Sequence, residues 1–198
     1  MHPRVFEEFE RICKRRGAHG AVLEVGATPD GSTLLNMECL KGATLKIGIN
    51  LDGPHTFRDF SIVKGDANDM AQFKGASFDT VLCNATLEHD KCFWKTIAEI
   101  RRVAKSGALI VIGTPGYVGS SLKGQIGGIL NRVPLLSQLL GEEMLKGSTA
   151  TLCVHNYPGD YYRFSEQAVR DVFFEGIGDV EIVSVMTPPR VIGAGIKP

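Results

Sequence analysis

The stretch AVLEVGATPDGSTLL, Ala21 to Leu35, sets a carboxylate, Glu24, two residues ahead of Gly26 and follows it with Gly31, Ser32 and Thr33. A glycine-bearing turn after an apolar strand lets backbone N–H groups approach a ligand, which is the chemistry of phosphate and nucleotide cradles. Three cradles fit in part. Gly26-x4-Gly31 followed by Ser-Thr has the spacing of a P-loop, but Ser32 stands where the lysine belongs, so the charge that reaches a triphosphate is missing. DTVLCN ends in Asn84 rather than in a metal-binding acid. A dinucleotide loop needs G-x-G-x-x-G, and Thr28 holds the second of those positions. The third cradle combines Glu24 with polar residues at the ends of later strands.

Those residues recur at the ends of apolar runs. Asn50 closes TLKIGIN, where an acid commonly holds ribose hydroxyls, and Asp52 lies two residues beyond. Asp66 follows SIVK in KGDA, a carboxylate able to accept a bond from an adenine amino group. After SFDTVLCN come Glu88 and His89, and farther along His155, Asp160, Tyr161 and Tyr162. Any of these could take a proton from an acceptor or orient it. Each also has a plainer reading. Glu88 and His89 could form a helix-start cluster with Asp90, His155 could anchor a loop, Arg163 could pair with Asp160 or Glu166, and Tyr162 could pack inward. His89, Asp90 and Cys92 are close in sequence, but no second ligand cluster accompanies them, so no metal is expected. Phe93 and Trp94 read as core.

The elements that must position these groups alternate. Val5, Phe6, Phe9, Ile12 and Cys13 follow helical spacing, with acids early and bases late, which predicts a helix over 3–16. AVLEV, TLKIGIN, SIVKGD, SFDTVLCN and GALIVIGTP read as five strands. Ser32 to Leu40 reads as a helix. Phe93, Ile97, Ile100 and Ala104 predict another, with Asp90 as its N-cap and Ser106-Gly107 as its stop. A further helix starts near Ser165, with Val169, Val172 and Phe173 on one face and Gly176 closing it; DVEIVSV and RVIGAGI then form an antiparallel pair. Near-continuous apolar strands that alternate with helices imply an α/β fold: a Rossmann-like, doubly wound, mostly parallel seven-stranded sheet with an antiparallel edge strand. Ligands of such sheets bind at the carboxyl ends of the strands. The glycine-rich stretch 116–160 shows no strand and reads as an insertion, a lid or substrate wall, within one domain spanning 1–198.

Bulk properties narrow the partners. Lys+Arg and Asp+Glu both number 22, giving zero formal net charge, which disfavours a nucleic-acid partner. No apolar run approaches the ~20 residues that span a bilayer, and the N-terminus lacks the apolar region of a signal peptide. Five cysteines without a C-x-x-C pair suit a reduced, cytoplasmic protein with free thiols. The apolar stretch Ile126 to Leu140 suits a partly hydrophobic acceptor or a homodimer surface.

In their order and spacing, VLEVG, GDA, SFDTVLCNATLEH, EIRRVAKSGALIVIGTPG and HNYPGDYYRFS resemble the class I S-adenosylmethionine-dependent methyltransferases, in particular the small-molecule, type 11-like branch. The resemblance runs from Ala21 to the C-terminus. It implies S-adenosylmethionine as cofactor and methyl transfer to a small molecule. It places the Gly26, Ala27 and Thr28 backbone against the methionine part, with Glu24 organising the loop from below. Asn50 would face the ribose, Asp66 and Ala67 the adenine, and Asn84 and Ala85 the methyl-transfer region. His89, His155 and Tyr161 are the candidates for catalysis. Methyl transfer is an in-line displacement governed largely by alignment, so a base is needed only if the accepting atom must lose a proton. Thr28 and Asp30 depart from the family's glycines and Asn50 from its acid. The alternative reading is therefore a degenerate member that binds the cofactor or a protein partner without turnover.

Overall fold

The computed structural model describes residues 1–117, 159–186 and 188–198. Helix α1 (Pro3–Arg16) starts on His2, whose Nδ1 accepts the Arg4 N–H at 3.3 Å, and ends on Gly17 at φ 70°. Pro at the first turn and a left-handed glycine after the last suit a helix's unpaired ends. Its buried stripe is Val5, Phe9, Ile12 and Cys13.

One eight-stranded sheet organises the chain. Its strands are β1 (Ala21–Val25), β2 (Leu45–Asn50), β3 (His55–Phe57), β4 (Phe60–Lys64), β5 (Phe78–Asn84), β6 (Ala104–Pro115), β7 (Gly178–Met186) and β8 (Pro189–Ile196), in the order β3-β4-β2-β1-β5-β6-β8-β7. β4, β2, β1, β5 and β6 run parallel. The Rossmann-like, mostly parallel architecture thus stands, with two refinements. The sheet gains a strand, because β3 folds back on β4 through Arg58 and Asp59. Arg58 takes φ 53° there, and no Gly or Asn marks the turn. The antiparallel strand opposite β6 is β8, which lies one place in from the edge, between β6 and β7.

Helix α2 (Phe93–Val103) buries Thr96, Ile97, Ile100 and Val103. Asp90 is not its N-cap residue; Cys92 is. Asp90 instead accepts the Cys92 N–H at 2.8 Å, the Thr96 hydroxyl at 2.7 Å and Asn68 Nδ2 at 2.9 Å. Helix α3 begins at Glu166–Ala168, with Ser165 Oγ accepting the Ala168 N–H at 3.0 Å, and widens into a π turn over Val169–Phe173. The wider turn breaks the 3.6-residue register, so Phe173 is buried while Val172 faces out at 48% exposure. Phe93 packs edge-on against Tyr162 and Phe164, whereas Trp94, expected in the core, is 53% exposed.

Ser32 to Leu40 makes two short 3-10 turns, Leu34–Asn36 and Glu38–Leu40, in place of the expected helix. Side chains cap the backbone groups of these turns. Glu24 accepts the Leu34 and Leu35 N–H groups, and Lys46 Nζ donates to the Leu35 carbonyl at 3.2 Å. The apolar spacing is still used, since Leu34, Leu35, Met37 and Leu40 are all buried. One core lies between the sheet and α2 with α3, the other between the sheet and α1 with these turns. Among the described residues, no helix is long and apolar enough to cross a membrane.

Candidate functional site

From β1 the sheet continues to β2 on one side and β5 on the other, so the topological switch lies at the carboxyl ends of β1 and β5. Gly26 follows β1 at φ 81°, and its N–H donates to the Ile49 carbonyl at 2.9 Å. A Cβ there would lie 2.0 Å from Thr86 Oγ1. Ala85 follows β5 at φ 53°, with its N–H on the Gly113 carbonyl at 3.0 Å, and the Thr86 hydroxyl donates back to Asn84 O or Val25 O. The turn after β5 is therefore closed directly onto the loop after β1.

Glu24 sits beneath that loop, 4% exposed. It accepts the Thr33 hydroxyl and the Leu34 and Leu35 N–H groups, the latter two at 3.1 and 3.2 Å. Burial raises its pKa to about 7, against the lowering effect of those three bonds. Ala27 is buried, and its carbonyl accepts Asn50 Nδ2 at 2.7 Å; Asn50 Oδ1 accepts the Asp52 N–H at 3.2 Å. Asn50 thus ties the end of β2 to the loop. Thr28 is half-buried. Asp30, exposed, turns the chain by accepting the Ser32 N–H at 2.7 Å, and its bonds from Ser32 hold its carboxyl below the usual range.

Asp66 is exposed beyond β4, next to Asn50 through the Gly65 N–H to Asn50 O bond of 2.9 Å. Its Oδ1 accepts the Asn68 N–H at 2.8 Å, and Ala67 packs partly into the core. No helix follows Asp66; α2 holds the segment instead. Glu99 accepts the Met70 N–H at 2.7 Å, while Arg102 donates to the Met70 and Phe73 carbonyls, each at 2.9 Å.

On the far side of Thr86, His89 Nδ1 bonds the Gly159 carbonyl, and the Tyr161 N–H donates to Glu88 O at 2.7 Å. These bonds lay the 159–165 segment against the turn after β5. Tyr161 is 45% exposed, with Lys91 Nζ 5.5 Å from its ring centroid. Tyr162 packs inward, and Arg163 pairs with Asp160 rather than Glu166, which accepts Ser184 Oγ instead. Gly26, Ala27, Asn50, Asp66, Asn84 and Ala85 therefore share one sheet edge, with His89 and Tyr161 adjoining. His155, the stretch Ile126 to Leu140 and nearly all of 116–160 lie outside the described residues.

The sequence singled out Glu88 only as a possible cap or base; its surroundings are more telling. Its side chain is fully buried, and among the described residues neither carboxylate oxygen has a hydrogen-bond partner in another residue. His89 Nε2 stands 3.8 Å from Oε1. Burial raises the Glu88 pKa, opposed first by its own backbone N–H and then by His89, Arg190 and Arg163 nearby. Among the described residues, Asn84 Oδ1 and Thr114 Oγ1 are also buried without a partner. Unsatisfied buried polar atoms are uncommon in folded proteins, and three residues at one sheet edge carry them. Thr86, Thr114 and Arg190 were not picked out from sequence: a threonine or an arginine at a strand end has no spacing signature of its own.

Residues 37–112 match the family model described as a methyltransferase domain. No curated protein matches the chain significantly. Solved structures share the fold. A possible exported protein from Bordetella parapertussis aligns with a TM-score of 0.62 at 15% identity, over 98% of this chain and 67% of the other. The N-methyltransferase NodS from Bradyrhizobium japonicum, solved with S-adenosyl-L-homocysteine, aligns with a TM-score of 0.59 at 14% identity, over 98% and 86%. A chain of the Haloferax volcanii complex between the Trm112 methyltransferase activator and a methyltransferase aligns with a TM-score of 0.55 at 16% identity, over 99% and 95%. Segment 37–112 is thus similar to a methyltransferase domain, and the architecture as a whole shares the fold of these solved structures.

Proposed function

We propose that the chain transfers a methyl group from S-adenosylmethionine to a small molecule. The observation that carries this reading is the switch-point edge, where the Gly26 loop, Asn50 and the Asn84–Thr86 turn converge on the carboxyl ends of β1, β2 and β5. The residues suit the cofactor. Asn84 Oδ1 is an acceptor without a donor, complementary to the ammonium of the methionine part. The Gly26 to Thr28 backbone would lie along that part, above Glu24. Asn50 keeps one amide hydrogen and one lone pair for the ribose. Asp66 keeps Oδ2 for the adenine amino group, beside Ala67.

When bound, the cofactor supplies an electrophilic methyl on a sulfonium. The protein's part is alignment, with Ala85 bordering the reacting centre and Glu88, His89 and Tyr161 facing the acceptor side. His155 and the 116–160 insertion would complete the acceptor wall of a single domain. The cysteine pattern supports a cytoplasmic setting.

A second reading has a specific observation in its favour. Thr28 and Asp30 occupy glycine positions, and Asn50 already spends part of its amide on the loop. A degenerate protein would bind cofactor weakly and serve a protein partner; the Haloferax structure is a complex with an activator. Calorimetric titration with S-adenosylmethionine and S-adenosylhomocysteine, with NAD and ATP as controls, separates the two. Selective micromolar binding of the first pair, weakened at least tenfold by Asp66→Ala, supports the enzyme. Silence from both supports the degenerate reading, and binding of NAD or ATP overturns the loop assignment.

A further inference from the structure

Away from the strand ends, α1 and the Glu38–Leu40 turn bring two thiols together. Cys13 lies in the last turns of α1 and is fully buried; Cys39 is half-buried. The Cys39 N–H donates to Glu10 Oε1 at 3.3 Å, and Glu10 precedes Cys13 by one helical turn on the same face, which seats the Cys39 backbone over the helix. Both cysteines line one surface pocket, together with Lys14, Gly17, Ala18 and Glu38. Small reagents can therefore reach Cys39 from that pocket.

The two thiols are inequivalent. A hydrogen bond from Cys13 draws the Cys39 thiol below its usual pKa, helped by Lys14 and opposed by burial and by Glu10. The same contact, together with burial, pushes the Cys13 thiol well up. An accessible thiol stabilised as thiolate beside a second, protonated thiol has the parts of a peroxide-reactive pair. Cys83, by contrast, is fully buried.

We propose that Cys39 and Cys13 form an oxidisable pair, in which Cys39 reacts with a hydroperoxide and Cys13 resolves the product as a disulfide between α1 and the Glu38–Leu40 turn. In the first step the Cys39 thiolate attacks one peroxide oxygen. The O–O bond breaks, a proton is taken up, and sulfenic acid and one water or alcohol are formed. In the second step Cys13 sulfur attacks the Cys39 sulfenic sulfur, its thiol proton leaves with the sulfenic hydroxyl as water, and the S–S bond closes. The peroxide is reduced by two electrons and the two thiols are oxidised. The bond would tether to α1 the segment whose Leu34 and Leu35 amides hold Glu24 beneath the glycine loop.

The test treats the full chain with hydrogen peroxide, blocks remaining thiols with iodoacetamide, and maps peptides by mass spectrometry without reduction. The expected result is a Cys13–Cys39 linked peptide that dithiothreitol cleaves, formed at least tenfold faster than any other cysteine product. In Cys13→Ala the same treatment with dimedone present should trap sulfenic acid at Cys39. In Cys39→Ser, Cys13 should stay unmodified. A separate thermal melt confirms that both variants are folded. Cys39 oxidised to sulfinic acid in the unaltered protein without any linked peptide, a faster disulfide elsewhere, or no reaction at Cys39 would each overturn the proposal.

Discussion

Gly26 and Thr86 meet so closely that a Cβ on the glycine would stand 2.0 Å from the threonine hydroxyl oxygen. The contact joins the loop after β1 to the turn after β5 at the sheet's switch point, so the geometry of one is set by the other.

Replacing Gly26 by alanine adds two separate costs. The φ of 81° is strained for any residue with a Cβ, worth about 1–3 kcal/mol, and crowding against Thr86 adds about 1–3 kcal/mol more. Urea unfolding of Gly26→Ala should show both. Adding Thr86→Ala should recover the crowding share and leave the backbone share. A double variant no more stable than the single one would show that Thr86 yields freely and that the two turns are not coupled.

Glu24 makes stability depend on pH in an uncommon direction. Its pKa rises from the ordinary 4.5 to about 7 on folding, so between these values the folded state holds a proton that the unfolded state has lost. Stability from this group is therefore full below pH 4.5, falls as pH rises, and levels off above about 7, a loss of roughly 3 kcal/mol. Glu24→Gln should flatten that slope. It should also be less stable than the parent at pH 5, because its amide nitrogen cannot accept the N–H that a carboxylate oxygen takes. The difference between the two unfolding curves at pH 5 and pH 8 isolates the effect from the other carboxylates. A difference independent of pH would show that Glu24 stays ionised in the folded protein.

Much of this arrangement was legible before any coordinates. AVLEV, TLKIGIN and SFDTVLCN are rich in apolar residues, and each forms a parallel strand with a polar residue at or next to its carboxyl end. Ser32 to Leu40 was misread because buried apolar spacing cannot tell a helix from two tight turns. What decides between them is tertiary: Glu24 on β1 and Lys46 on β2 bond the Leu34 and Leu35 backbone groups in the turn geometry. Strand β3 escaped because Arg58 and Asp59 make its turn without the usual residues. The partnerless atoms of Glu88, Asn84 and Thr114 exist only after β5 and β6 are paired, so no spacing could have announced them.

The segment after Asp66 should depend on Arg102 more than on its own sequence. It has no helix, and the Arg102 guanidinium holds two of its carbonyls while pairing with Glu99, which in turn takes the Met70 N–H. Arg102→Ala should cost about 2 kcal/mol, moderated by the water that reaches this partly exposed side chain. Hydrogen exchange should speed up at Met70 and Phe73, whose amides pair within this segment or with Glu99. Arg102→Lys should recover only part, since an ammonium cannot reproduce the planar fork. Unchanged exchange in Arg102→Ala would mean that apolar packing of Met70 and Phe73 suffices.

Glu88 offers the sharpest separation of structure from function. Among the described residues its carboxylate is buried without a hydrogen bond to another residue and its pKa is raised, so in the folded state the ionised form is penalised. The penalty is absent below the unfolded pKa of 4.5 and present once pH exceeds the folded value. Glu88→Gln removes the charge at nearly constant shape. It should leave stability little changed at pH 4 and raise it by about 1 kcal/mol at pH 8. A side chain kept at a cost to stability is expected where it serves a reaction. Methyl transfer to a screened acceptor should therefore fall at least tenfold in Glu88→Gln, while S-adenosylhomocysteine affinity stays within twofold. The opposite pattern, lower stability at pH 8 with transfer intact, would make Glu88 a structural counter-charge to Arg190 and His89 and would remove it from the acceptor side.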